Sequence, residues 1–136
     1  MQLIKSASTI FFNTQKKSSF YIQNSNESKF LKKLKSTKYI ILTEVFSTTA
    51  SIQMAFPYQL VACSFDYGNI LHVVSSFIEK NPKLIIILCG DRDFKSKAGE
   101  KALIETNSKF QKNTIIILPK FKDEEKQLSD FNDLQF

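Results

Sequence analysis

The sequence has no CxxC pair, no Cys/His cluster and no apolar run near the roughly 20 residues that a membrane span needs. Its two cysteines, Cys63 and Cys89, each sit inside an apolar run, so a zinc site is excluded and buried free thiols are expected. The opening stretch "MQLIKSASTIFF" carries one lysine and no long apolar segment, which predicts no secretory leader and a cytoplasmic chain. There is no internal repeat and no low-complexity linker. There is almost no arginine: 18 of the 19 basic residues are lysine, and Arg92 is the exception.

That last scarcity qualifies the net charge of +6. Residues 1–38 hold eight lysines against one acid, Glu27, and the remainder has 11 basic and 12 acidic residues. A basic leading segment can track a phosphate backbone, but lysine is a point charge and lacks the planar fork that reads phosphates and bases. Weak, salt-sensitive attraction to single-stranded nucleic acid is what this composition supports. With 43% hydrophobic and 24% charged residues, the composition is that of an ordinary globular protein.

What the sequence does contain is alternation. "YIILTE" (39–44), "YQLVACSF" (58–65), "KLIIILC" (83–89) and "NTIIILP" (113–119) read as strands. Between them, "FSTTASIQMAF" (46–56), "ILHVVSSFIEK" (70–80) and "AGEKALIETNSKF" (98–110) read as helices, with Pro57 and Asn81-Pro82 as stops. "DYGN" after the second strand reads as a turn. Apolar, β-branched strands separated by single helices predict an α/β fold, with a mostly parallel sheet of about four strands covered on both faces. Residues 1–37 read as an extension, with "STIFFN" and "SFYIQN" as a short antiparallel hairpin and a lysine-rich helix at about 27–36. Residues 38–136 read as the α/β domain. His72 falls on a helix flank, as packed surface.

The acids fall at one edge. In an open parallel sheet, ligands bind beyond the carboxyl ends of the strands. Glu44 ends the first strand of the alternating region, Asp66 follows the second, and Asp91 and Asp93 follow the third. Like charges so placed repel unless a cation sits among them, and an all-oxygen donor set suits Mg²⁺. Spacing alone leaves receiver domains and phosphatases open as well. An aspartate nucleophile with a lysine partner, which a phosphatase would need, is not evident.

The order of these motifs resembles a Toprim domain, the metal-binding module of primases, topoisomerases and some nucleases, and most nearly that of plasmid and phage primases. "ILTEVFSTTASI" resembles the family's strand, glutamate and Thr/Ala-rich helix start. "VACSFDYGNILHVV" resembles the next strand and its Asp-x-Gly-Asn turn, "IIILCGDRDFKSKAGEKAL" the Asp-x-Asp motif, and "SDFNDL" the acidic ending. The resemblance implies a Rossmann-like Toprim fold. It implies Glu44 as general acid or base, with Asp91 and Asp93 holding Mg²⁺, for which Mn²⁺ can substitute. It further implies Asp130 and Asp133 at a second metal or the pocket wall, and Asp66, Asn69 and Arg92 as site-lining. The activity implied is Mg²⁺-dependent nucleotidyl transfer in DNA replication, on nucleotides and a single-stranded template. Other primase domains or a helicase are the implied partners, because this sequence contains neither a zinc ribbon nor a large basic subdomain. The alternative is a catalytically inactive Toprim-like module that binds protein or nucleic acid. One departure bears on that choice: the family has glycine after the glutamate, and this chain has Val45. If that position required a positive φ, valine would resist it and turn Glu44 aside.

Overall fold

A computed structural model describes residues 8–11, 19–22, 27–90 and 98–118. Four strands pair in parallel: β3 (Tyr39–Thr43), β4 (Val61–Cys63), β5 (Ile85–Cys89) and β6 (Thr114–Ile117). Ahead of them, β1 (Ser8–Phe11) and β2 (Ser19–Ile22) form the expected antiparallel hairpin. The hairpin does not stand apart from the sheet. β2 pairs antiparallel with β4, giving a six-stranded sheet in the order β1-β2-β4-β3-β5-β6. The architecture is α/β and Rossmann-like, with helices α1 (Glu27–Ser36), α2 (Phe46–Ala55), α3 (Tyr67–Lys80) and α4 (Ala98–Lys109) in the crossovers and flanks.

Strand alternation divides the core. Ile40 and Leu42 of β3, Ala62 of β4, and Ile86 and Leu88 of β5 face a large buried cluster. Phe30 and Leu34 of α1, Val73 and Phe77 of α3, and Leu103 of α4 complete it. Phe30 and Phe77 meet ring to ring, with centroids 5.8 Å apart. The intervening residues point the other way, as the two-residue period requires. There Val61, Cys89 and the half-buried Ile41 and Ile87 pack with Ile52 of α2. Among the described residues, three helices therefore serve one face and α2 serves the other.

Two boundaries differ from the sequence reading. The second parallel strand is confined to Val61–Cys63, because Gln59 N–H donates to the Phe56 carbonyl at 3.1 Å and holds residues 56–59 as a turn. α3 begins at Tyr67, so "DYGN" is a helix start and no free-standing turn: Asp66 is the extended cap residue, with Tyr67, Gly68 and Asn69 in the first turn. Weak helix formers are tolerated in a first turn, where most N–H groups have no helical partner to lose. The other stops behave as expected. α2 ends at Ala55, with Phe56 out of helical conformation before Pro57, and α3 ends at Lys80 before Asn81-Pro82. His72 is half-buried on α3, as read from its flank position.

Asparagine side chains tie the amino-terminal edge of the sheet together. Asn81 Nδ2 donates to the carbonyls of Leu34 and Thr37, both at 2.9 Å, fixing the end of α1 to the end of α3. Asn113 Nδ2 donates to Pro82 and Leu84 carbonyls at 2.9 Å, joining the entry of β6 to that of β5. These bonds leave the opposite, carboxyl edge as the place where loops diverge.

Candidate functional site at the carboxyl edge of the sheet

Neighbouring strands β3 and β5 send the chain in opposite directions. From β3 it passes through α2 to β4 on one side, and from β5 through α4 to β6 on the other. A crevice opens between loops that part in this way, and it is the customary ligand position in such sheets. The register puts Thr43 beside Cys89. Glu44 and Gly90, the next residues, therefore leave adjacent strands side by side, about 4.8 Å apart at the backbone. Gly90 is still held to the sheet, donating its N–H to the Ile117 carbonyl at 3.0 Å.

Glu44 itself is half-buried, and its backbone is fixed from below. The Thr43 and Thr49 hydroxyls hydrogen-bond each other, and they lie 3.2 and 3.1 Å from the Val45 carbonyl. Two hydroxyl protons can satisfy this triangle if one donates to the neighbouring hydroxyl and the other to the carbonyl. The Thr49 N–H reaches the same carbonyl at 3.1 Å. Cys63 Sγ donates to the Glu44 carbonyl at 3.2 Å. The short segment Glu44-Val45 is thus clamped between β4 and the first turn of α2.

Val45 resolves the question raised by its missing glycine. It is the cap residue of α2, with φ of −100° and ψ of 136°, an extended conformation that β-branched residues favour. No positive φ is needed there. Valine does not turn the backbone of Glu44 aside.

The β4–α3 connection forms the next wall. Ser64 donates its N–H to the Thr43 carbonyl at 2.8 Å, and its hydroxyl lies near the same oxygen and the Asp66 carbonyl. Asn69 Nδ2 donates to the Ser64 carbonyl at 2.9 Å, and the residue is buried. Asn69 therefore holds the wall together and is not open to a ligand from this side chain nitrogen. Asp66 lies exposed at the rim, with its carboxylate folded near Gly68. Phe65, between them, takes a φ of 71°, a left-handed conformation rare for a bulky side chain. Sequence reading did not single out Thr43, Thr49, Ser64 or Phe65, and it read Cys63 only as a buried free thiol, which it is. The "TE…TT" spacing was the available signal for the first two.

Of the other sequence-derived site residues, Asp91, Arg92, Asp93, Asp130 and Asp133 lie outside the described residues. The chain positions that bracket the first three are described. Gly90 packs so closely that an added Cβ would lie 2.0 Å from Leu103 Cδ1, and Gly99 sits against the Tyr67 ring. Gly90, the last described residue before Asp91, thus lies beside Glu44, and Gly99, near the start of α4, lies beside the first residue of α3.

Among the described residues no group of three His, Cys, Asp or Glu side chains is assembled, and Glu44 is the one half-buried acid at the crevice. The nearby thiols do not compete for a metal. Burial pushes Cys89 up to about 12, and it raises Cys63 as well, with the Glu44 charge adding to the rise. Both stay protonated at neutral pH, while thiolate is the form that binds metal. A site built from Glu44, Asp91 and Asp93 would be all carboxylate, which fits Mg²⁺ or Mn²⁺.

Comparison with protein-family models, with curated proteins and with solved structures returns no match.

Proposed function

We propose that this chain is a Toprim-like domain of a primase-type protein, contributing to Mg²⁺-dependent nucleotidyl transfer when joined to the other segments of such a protein. The supporting observation is the pairing of Thr43 with Cys89, which leaves Glu44 beside Gly90, the residue that precedes Asp91 in the sequence. Glu44, whose own and neighbouring carbonyls are held, would move a proton at the attacking or leaving oxygen. Asp91 and Asp93 would hold the metal, which when bound neutralises phosphate charge and orients the reacting oxygen. Arg92 and Asp66 would line the rim. Template and nucleotides need a further binding surface supplied by partner segments, since positioning two reactants demands more than one metal site.

Thermal melts with and without Mn²⁺ test the reading. A ligand at a hundred times its dissociation constant stabilises the folded state by about 2.7 kcal/mol. The wild type should show that rise, and Asp91→Asn/Asp93→Asn should lose it. An equal rise in both would remove the site. With partner segments added in trans, Glu44→Gln should abolish metal-dependent transfer. Retained metal binding without any transfer would instead favour the inactive, binding-only module.

A further inference from the structure

The two edges of the sheet carry opposite charge. Among the described residues, Glu44 and Asp66 lie beyond strand ends at the carboxyl edge, whereas lysines gather at the amino-terminal one. Lys33, Lys35, Lys80 and Lys109 sit in the last turns of α1, α3 and α4. A helix dipole favours cations there, so these lysines need no ligand to explain them. Lys38, Lys83 and Lys112 are different. All are exposed, and they lie two or three residues beyond the helices, past the last turn in which the dipole acts. Each stands at the entry of a strand, and β3, β5 and β6 are neighbours in the sheet. Ile85 N–H donates to the Lys38 carbonyl at 2.9 Å and Ile86 N–H to the Asn113 carbonyl at 2.7 Å, which draws these entries into one row. At the β4 end of the row stands Tyr58, fully exposed. Its turn is braced: Gln53 Nε2 lies 3.1, 3.3 and 3.0 Å from the carbonyls of Phe56, Pro57 and Gln59. Gln59 Nε2 in turn donates to the Tyr39 carbonyl at 3.2 Å, tying the turn to the entry of β3 beside Lys38. A ring so exposed adds no burial to the fold, and an aromatic side chain with few rotatable bonds costs little to order on binding.

We infer that the amino-terminal edge of the sheet binds a single-stranded oligonucleotide, with Lys38, Lys83 and Lys112 on its phosphates and a base stacked on Tyr58. Charge and aromatic face together select this occupant. Lysines attract the phosphate backbone, and every base has a π-face to lay on the ring. From Tyr58 to Lys112 the row crosses three strand spacings of about 4.8 Å, or about 14 Å, the length of about four phosphates in a stacked strand. An acidic peptide would engage the lysines and leave the ring idle. The row is separated from Glu44 by the length of β3, about 16 Å. It therefore holds a strand without aligning reacting groups, and it does not rest on the metal-site reading of the carboxyl edge.

The test is fluorescence anisotropy of the full chain with a labelled oligo-dT of about 12 nucleotides, across a range of salt. Lys38→Ala/Lys83→Ala/Lys112→Ala should weaken binding and lower the slope of log affinity against log salt by about 2, at about 0.7 per phosphate contact. Lys16→Ala/Lys17→Ala/Lys101→Ala removes the same charge from positions outside the row, and should change the slope by less than about 0.7. Tyr58→Ala should weaken binding at least about fivefold with the slope unchanged. It should also erase the wild type's preference for oligo-dT over an abasic oligomer of the same length. Mn²⁺ melts report on the carboxyl edge alone, so either reading can fail without the other. Equal losses in the two triple variants would overturn the inference, as would a wild type that does not bind. Equal wild-type affinity for the abasic oligomer, or a Tyr58→Ala chain that binds like the wild type, would overturn it in favour of a bare polyanion such as an acidic peptide.

Discussion

Gly90→Ala is a one-methyl change at the residue that follows β5. The new Cβ would lie 2.0 Å from Leu103 Cδ1, 3.4 Å from Leu103 Cγ and 3.0 Å from Leu118 Cδ2. Carbon atoms in contact settle at about 3.5–4.0 Å, so the Leu103 methyl must retreat by roughly 1.5 Å or more. It has little room, because Leu103 is 1% exposed in the main cluster. Overpacking of this sort costs about 1–3 kcal/mol. Leu103→Ala alone should cost about 2–5 kcal/mol, through lost burial and the cavity left behind. The two changes are not independent, because the methyl added at residue 90 enters the volume that the shortened residue 103 vacates. The double variant should therefore be no less stable than Leu103→Ala alone, with a coupling of about 1–3 kcal/mol in favour of the pair. Urea unfolding of the four proteins, fitted with a common slope, measures it. Additivity within about 0.5 kcal/mol would refute the close approach of Gly90 to α4.

Other expectations concern the thiol, the asparagine clamp and the cap. Because burial lifts Cys89 from 9.0 to about 12, the folded chain keeps a proton that the unfolded chain loses. Stability is then whole below about pH 9 and falls by about 1.4 kcal/mol per pH unit as pH rises toward the folded value. Cys89→Ala should remove that share of the slope in urea melts across the alkaline range, and an unchanged slope would count against a protonated buried thiol. Asn81→Ala deprives the Leu34 and Thr37 carbonyls of their donor and should cost about 1–3 kcal/mol. A cost under about 0.5 kcal/mol, typical of a surface substitution, would deny that clamp its role. Val45→Gly should change stability by less than about 1 kcal/mol, since glycine's entropy cost opposes its better standing as a cap residue. It should leave the amide shifts of Ser64 and Thr49 in place, because the Val45 carbonyl is held by the two threonines whatever its side chain. Wide shifts there would show that the valine does set the course of Glu44.

The alternation of strand and helix was legible because each parallel strand is buried and β-branched, and each helix stops at a residue that cannot continue it. Pro57 and Asn81-Pro82 mark such stops within a residue or two. The hairpin was legible as a hairpin but not as part of the sheet. Its attachment to β4 is a long-range pairing, and four-residue strands carry no pattern that names their partner. The start of α3 differs from its sequence pattern for a local reason: Asp, Gly and Asn together are turn formers, yet Asp66 takes the cap position through its extended backbone, without a side-chain cap bond, and a first helical turn tolerates weak helix formers.

The carboxyl edge shows a different division between what a sequence carries and what a fold adds. That Glu44 and Asp91 belong to one edge is read from their each ending an apolar run. That Glu44 and Gly90, the residue before Asp91, leave adjacent strands depends on strand order, and the order is set by crossovers, on which a single sequence is silent. The β3–β5 pairing therefore adds the strongest physical link between the two positions. The clamp beneath Glu44 was invisible for another reason. Thr43, Thr49 and Ser64 read as ordinary helix and strand residues, and their hydroxyls acquire a role only when the end of β3 is brought beside that of β4. The same packing bears on the glycine missing at Val45. A family pattern suggested a backbone demand at that position, whereas the cap geometry of α2 meets it with an extended residue. A motif position can depart from its pattern without moving the neighbouring acid when the carbonyl between them is held from elsewhere. Here one hydroxyl of the bonded Thr43–Thr49 pair and the Thr49 backbone N–H hold it.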